Sequence, residues 1–331
     1  MTDPEPGRRS TPGEGPILAP RPELGGGRST PAFALPAGAP SGLPSGLGST
    51  RVGRQTFVWG SRTYVMGILN VTPDSFSGDG LIPAGDGSTI ASAASHLARS
   101  MAAAGADLLD VGGESTRPGH ALVDESEELA RVVPVIRAIR RALPAMPISV
   151  DTTKPAVASA ALDAGANLVN DVWGVAEDDG MTRLAAERGV PIVLMHNRAE
   201  ARYTTLIPEI IADLQRAIER ALGAGVPWGD IIVDPGFGFG KTAEQNLALL
   251  RELPSLGLLG RPILLGTSRK STLGRVLDLP ADQRLEATLA TTALAIASGV
   301  DIVRVHDVPE NVRAARMADA VVRGTWPEAD A

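Results

Sequence analysis

The sequence predicts an α/β fold, a single (β/α)8 TIM barrel behind a disordered N-terminal extension. Three observations predict it. From Arg54 onward, short runs rich in Val, Ile and Leu alternate with Ala-rich segments of helical spacing, eight of each. Several of the helical segments lead into the next apolar run through one recurring phrase, as in Ala104-Gly105-Ala106-Asp107, Ala164-Gly165-Ala166-Asn167 and Ser298-Gly299-Val300-Asp301, where Gly suits a left-handed helix cap. Eight such units in about 265 residues also match the roughly 250 that such a barrel takes. The structural rival, an open doubly wound sheet, would carry a Gly-rich phosphate fingerprint after its first strand, and Leu69-Asn70-Val71-Thr72-Pro73-Asp74 has nothing of the kind.

Residues 1–52 are crowded with Pro, Gly, Ser and Thr and show neither helical nor alternating periodicity, so they read as a disordered tail ahead of a barrel domain over 53–331. The first strand, Val65–Leu69, leads to a helix near 88–104. Leu108–Val111 then precedes 124–142, Pro147–Val150 precedes 155–164, and Leu168–Val169 precedes 179–188. In the second half, Ile192–Met195 is followed by a helix at 208–224, Ile231–Val233 by 243–252, Ile263–Leu265 by 284–298 and Ile302–Val305 by 309–322.

Composition narrows the function. The 331 residues include no Cys, which excludes disulfides, thiolate metal sites and a thiol nucleophile. A net charge of −7 and 3% aromatic residues argue against a nucleic-acid-binding surface. The four histidines, at 96, 120, 196 and 306, form no HxxxH or HExxH pair. No stretch reaches the 18 or more uninterrupted apolar residues of a membrane span, and Arg8 and Arg9 precede no apolar signal core, so the expected location is cytoplasmic.

In a barrel the working groups come from the C-terminal ends of the strands and the loops that follow. Those ends carry, in order, Asn70; Asp110 and Glu114; Asp151; Asn170 and Asp171; Met195-His196; Asp234; Gly266-Thr267-Ser268-Arg269-Lys270; and Arg304-Val305-His306-Asp307. A single Asp or Asn after a strand has the plainer reading of a helix cap. Eight polar strand ends converging on one mouth do not.

Two chemistries separate. Asp151, Asn170, Asp234 and Lys270 offer carboxylate acceptors, an amide and a cation, which suit a flat heterocycle such as a pterin or guanine-like ring with an N–C–NH2 edge. Met195 and Phe239 offer apolar walls, and Gly266 a close approach to the ring face. Asn70, Arg304 and His306, with Ser268 and Arg269 nearby, suit an anionic leaving group. Arg supplies fixed planar donors, and an Asn oxygen can serve Mg²⁺. The loops Asn70–Gly80 and Gly112–Gly119 exceed the usual βα connection and read as lids. The densest stretch is Asp234-Pro235-Gly236-Phe237-Gly238-Phe239-Gly240-Lys241, a carboxylate at the end of an apolar run followed by a flexible, aromatic turn.

These residues stand in an order that resembles the dihydropteroate synthase family from residue 64 to about 310. The resemblance is carried by Gly67-Ile68-Leu69-Asn70-Val71-Thr72-Pro73-Asp74-Ser75-Phe76-Ser77, Asp110-Val111-Gly112-Gly113-Glu114-Ser115-Thr116-Arg117-Pro118-Gly119, Ser149-Val150-Asp151-Thr152, Asn170-Asp171, Leu194-Met195-His196, Asp234 to Lys241, Ser268-Arg269-Lys270-Ser271 and Arg304-Val305-His306-Asp307. Two departures stand out. The first loop reads Ser77-Gly78-Asp79-Gly80 where the commoner order is Ser-Asp-Gly-Gly, and the segment after the fifth strand reads His196-Asn197-Arg198-Ala199-Glu200, so Asn197 and Arg198 receive no role.

The resemblance implies a transferase that joins 6-hydroxymethyl-7,8-dihydropterin diphosphate to p-aminobenzoate in folate biosynthesis. It implies pterin binding by Asp151, Asn170, Met195, Asp234, Phe239, Gly266 and Lys270. It implies p-aminobenzoate binding, in the region where sulfonamides compete, by Phe76, Thr116, Arg117, Pro118 and Ser271. Pyrophosphate falls to Asn70, Arg304 and His306, with Asn70 also the Mg²⁺ ligand, and the catalytic set is Asp151, Lys270, Arg304 and His306. Asp74 belongs to the ordered form of the first loop. A homodimer is expected, with the helices near 284–298 and 309–322 as its interface. Two rivals stay open at the sequence level: a pterin-binding methyltransferase domain and a non-catalytic pterin-binding paralogue.

Overall fold

In the computed structural model the described residues are 46–71, 87–114, 123–176 and 179–326. The expected tail therefore lies almost wholly outside the described residues. Its last seven positions do not, and four of them, Ser49–Val52, form β1, which pairs antiparallel with β2, Gln55–Val58. These residues are a strand, not tail, because the hairpin has an apolar face to bury. Val52, Phe57 and Trp59 pack with Tyr64, the Phe57 and Tyr64 rings standing 4.5 Å apart.

Eight parallel strands follow: β3 (Tyr64–Asn70), β4 (Leu108–Gly112), β5 (Ile148–Asp151), β6 (Leu168–Asp171), β7 (Ile192–Met195), β8 (Ile231–Asp234), β9 (Leu264–Leu265) and β10 (Ile302–Val305). Their order is β8-β7-β6-β5-β4-β3-β10-β9. The ends of this sheet meet where Val233 bridges Ile263 in parallel and its N–H donates to the Pro262 carbonyl at 3.0 Å. The ring is the predicted barrel. Its helices are α1 (Gly87–Ala103), α2 (Glu125–Ala142), α3 (Pro155–Ala164), α4 (Gly180–Arg188), α5 (Leu206–Gly223), α6 (Ala243–Arg251), α7 (Ser271–Leu277), α8 (Leu285–Ala297) and α9 (Val308–Val322). Asp124 caps α2, and Thr242 with Gln245 forms a capping box on α6.

The strands alternate strictly, as the two-residue period requires. Val65, Leu109, Val111, Ile148, Val150, Val169, Leu194, Val233, Leu265 and Val303 face the helices and belong to one large apolar cluster. Met66, Leu108, Leu168, Val193, Ile232, Leu264 and Ile302 point inward and form a second cluster with the hairpin residues. That hairpin stoppers the N-terminal end of the barrel. The Thr50 hydroxyl donates to the Gly229 carbonyl, just ahead of β8, and the Trp59 indole donates to the Thr50 hydroxyl at 2.9 Å. The next inward residues up the strands are Asp110, Ser149, Asn170, Asp234 and Arg304. One barrel therefore has an apolar lower half and a polar upper half.

Two differences from the sequence reading matter for the site. Five of the strands run one or two residues further than their apolar runs, so Asn70, Asp151, Asn170, Asp171 and Asp234 lie within the ladder, with Asp151 opposite Asn170 and Met195 opposite Asp234. Backbone pairing fixes their direction. A short extra helix, α7, also stands between β9 and α8 and begins at Ser271, directly after Lys270.

Candidate active site

Arg304 of β10 organises the polar half. Its Nε donates to Asp110 Oδ2 at 2.6 Å and its Nη2 to Asp151 Oδ2 at 2.7 Å, while the Asn170 amide donates to the same Asp110 oxygen at 3.1 Å. Both carboxylates are buried, and each keeps one buried oxygen, Oδ1, without a hydrogen-bond partner among the described residues. Unpaired acceptors of this kind cost stability unless a ligand meets them. Burial pushes the Asp151 carboxyl up to about 7 against the pull of Arg304, with Asp110 and Glu128 adding to the rise.

Asp234 ends β8 opposite this group. Its Oδ1 accepts the Gly236 N–H at 2.7 Å, and burial raises its pKa against the nearby Lys270. Lys270 comes from the loop after β9. Its ammonium donates to the Phe237 carbonyl and stands 4.4 Å above the Phe239 ring, within cation–π range. Burial pulls this lysine down to about 8, Asp234 opposing the shift. Met195 is buried beside Asp234 in the ladder, and Gly266 lies against the Arg304 side chain. Sequence order thus scatters Asp151, Asn170, Asp234 and Lys270 over some 120 residues, and the barrel turns them into one pocket floor.

The anion group is only partly assembled. Asn70 ends β3 half-buried, its Oδ1 and the Asp151 Oδ2 both beside Gly112. His306 sits 3.0 Å from the Ser268 hydroxyl through Nδ1, and its backbone N–H donates to that hydroxyl at 3.2 Å. Arg304, grouped by sequence with these two, has two of its nitrogens on the carboxylates of the floor, so it joins the two groups. Arg269 is directed to Asp307, its Nη2 2.5 Å from Oδ1. Ser271 is exposed at the start of α7. Phe76, Thr116, Arg117, Pro118, Asp74 and Asp79 lie outside the described residues.

Two strand-end acids take other tasks. Asp171 points outward in the alternation and accepts the Trp173 N–H at 3.0 Å, a turn role. Glu114 pairs with Lys154 at 2.5 Å and accepts the Val123 N–H at 3.1 Å, which ties together the two ends of the loop after β4. The same lysine meets the buried Glu128 at 2.6 Å. The role of Asp110 as a partner of both Arg304 and Asn170 was missed in the sequence. The signal for it was present, a carboxylate at an inward position in the middle of an apolar strand.

Residues 66–306 match the family described as pterin binding enzyme. The dihydropteroate synthase of Clostridium beijerinckii is 51% identical over 274 residues, which are 82% of this chain and 99% of that protein. A solved dihydropteroate synthase from Clostridium difficile, determined in the presence of pteroic acid, is 50% identical and superposes with a TM-score of 0.76 over 81% of this chain and 99% of its own. The Xanthomonas albilineans dihydropteroate synthase with 4-aminobenzoic acid is 40% identical, with a TM-score of 0.76 over 84% of this chain and 99% of its own.

Proposed function

This chain belongs to the pterin-binding enzyme family and, within it, to the dihydropteroate synthases, and we propose that it joins 6-hydroxymethyl-7,8-dihydropterin diphosphate to p-aminobenzoate, releasing pyrophosphate and 7,8-dihydropteroate. The observation that carries the residue-level reading is the floor of buried Asp151, Asn170 and Asp234 with half-buried Lys270, which offers acceptors to an amino-amidine edge and donors to a ring carbonyl and nitrogens. Release of pyrophosphate that requires both substrates tests it. Sustained release over many turnovers with the pterin diphosphate alone, or none with both, would overturn it.

The arylamine nitrogen forms a bond to the methylene carbon as the carbon–oxygen bond to the diphosphate breaks, the electron pair leaves with pyrophosphate, and the amine loses a proton. No protein nucleophile is needed, so electrostatics carries the catalysis. Arg304 can reach the leaving group with Nη1 while its other nitrogens remain on Asp110 and Asp151, and His306 is braced for the same anion by Ser268. Asp151, beneath the ring, opposes the positive charge that grows if departure runs ahead of attack. An SN1-like course of this kind predicts a single-turnover rate insensitive to the nucleophilicity of substituted anilines; a steep dependence would exclude it.

The residues fit Mg²⁺. The Asn70 amide oxygen is a hard donor at the mouth, and Mg²⁺ commonly takes one or two protein oxygens together with substrate phosphates and water. When bound it would neutralise charge on the leaving pyrophosphate. Phe76, Thr116, Arg117, Pro118 and Ser271 are assigned to p-aminobenzoate.

A homodimer through α8 and α9 belongs to the same reading. Leu294, Met317 and Val321 are 51%, 66% and 70% exposed on these adjoining helices, an apolar face that a second copy would cover. Gel filtration of the whole chain at the monomer mass would dismiss this interface. Among the described residues no helix is long and apolar enough to cross a membrane. A cytoplasmic location completes the proposal.

A further inference from the structure

Lys241 closes the densest motif of the sequence, yet the pocket just described does not use it. Its ammonium has three acceptors: the Gly236 carbonyl at 3.0 Å, the Phe239 carbonyl at 3.1 Å and His196 Nδ1 at 3.0 Å. Three acceptors match the three N–H bonds of a charged lysine, whereas a neutral amine would leave one unmet; this geometry favours the ammonium against burial, which pulls Lys241 down to about 7 with Asp234 opposing the shift. The far side of the imidazole explains how Nδ1 can accept. His196 Nε2 lies 3.1 Å from Asp213 Oδ2 on α5, and a carboxylate only accepts, so the ring proton sits on Nε2 and the Nδ1 lone pair is left for Lys241. Burial first, and the adjoining Lys241 cation second, pull His196 down to about 3, so the ring is neutral at physiological pH. Asp213 is held in turn by Arg198 at 2.8 Å and by Arg216.

The turn that Lys241 grips bears three parts of the pocket. Gly236 donates to Asp234, Phe237 accepts from Lys270, and Phe239 carries its ring beneath that same lysine. Backbone contacts hold the turn tightly against the segment after β7. Gly236 and Gly240 have φ of +69° and +51°, and a Cβ on either would collide with the carbonyl oxygen of His196 or Arg198 respectively. Tyr203 completes the seam by donating to the Gly240 carbonyl at 2.9 Å.

We propose that Lys241 is a positioning residue for pterin recognition: anchored by His196 and Asp213, its ammonium fixes the 236–239 turn so that Asp234, Phe239 and Lys270 meet the ring, and it does not touch the ring itself. The proposal rests on the pterin reading of the pocket. Direct titration of the dihydropterin diphosphate separates the two. A wild-type protein that does not bind this ligand refutes the pterin reading, while the fate of the present proposal is decided by variants of a wild type that does.

Lys241→Met is the first variant, because an apolar chain of similar length fills the same space while removing the charge and all three donors. The expected result is a folded protein whose affinity for the pterin diphosphate falls roughly tenfold or more, the scale of losing a charge-assisted hydrogen bond. Its KM for p-aminobenzoate should stay within about twofold, and hydrogen exchange of the 236–241 amides should quicken. Lys241→Gln, polar but short of one donor and the charge, should lie between the two. Either variant folding with wild-type pterin affinity overturns the proposal, and so does an equal loss for both substrates. If neither folds, Lys241 is a determinant of the fold and the proposal also falls.

Discussion

At the scale of the residue, Arg304 decides whether the pocket is a binding site or a liability. It is the cation that meets both Asp110 and Asp151, so its loss strands two buried carboxylates. Arg304→Ala should lower turnover by roughly 10²-fold or more and destabilise the protein by about 3–5 kcal/mol. Kinetics and chemical denaturation on the same preparation check both, and a variant of near-wild-type rate would remove Arg304 from the catalytic set. Much of this site is legible in the sequence, because strand alternation and polar strand ends together point to Asp151, Asn170, Asp234 and Lys270. What alternation cannot say is which inward residue meets which across the barrel. Arg304 and Asp110 are 194 residues apart, and nothing in either segment names the other.

At the scale of the element, the eight long helices follow the apolar period closely, 155–164 and Pro155–Ala164 coinciding. The short pieces do not. The seven residues of α7 are too few to show a period, and β1 has only two inward positions behind a Pro- and Gly-rich segment. The hairpin is nonetheless a structural necessity, since Phe57 is among the largest fully buried side chains. Phe57→Ala should cost about 3–5 kcal/mol while leaving KM for both substrates near wild type, because the hairpin packs at the end of the barrel remote from the polar residues; urea melts and steady-state kinetics give the two readings. The loop after β4 is tied at its ends by Glu114, and the p-aminobenzoate role assigned to its Arg117 predicts that Arg117→Ala raises that substrate's KM several-fold or more, on the scale of one hydrogen bond to a charged group, with pterin affinity unchanged. An unaltered KM would withdraw the assignment.

At the scale of the whole molecule, the polar half sets a pH dependence of stability. Asp151, raised to about 7 chiefly by burial, keeps a proton in the folded state that the unfolded chain releases near its ordinary value of 3.8. The folded state therefore holds more protons across that interval, and the stability this group confers is full below about pH 4 and lost as pH rises through about 7. Asp151→Asn cannot ionise. Its stability relative to wild type should improve between pH 5 and pH 8 in denaturant titrations, and a difference that is the same at both pH values would contradict the burial argument.

The hairpin stopper has a consequence for traffic. With one end filled by Val52, Phe57, Trp59 and Tyr64, the barrel is a cup and not a passage, so everything enters and leaves by one mouth. On the proposed assignments, a ring that pairs with the floor would arrive before the partner placed above it, and a p-aminobenzoate lodged first would stand in the doorway. Pyrophosphate, assigned in the same proposal to groups nearer the rim, would depart over the top, whereas the joined product would have to lift its deepest part past the groups assigned to grip it. On that proposal, queueing at a single entrance would help to set the sequence of events in each turnover.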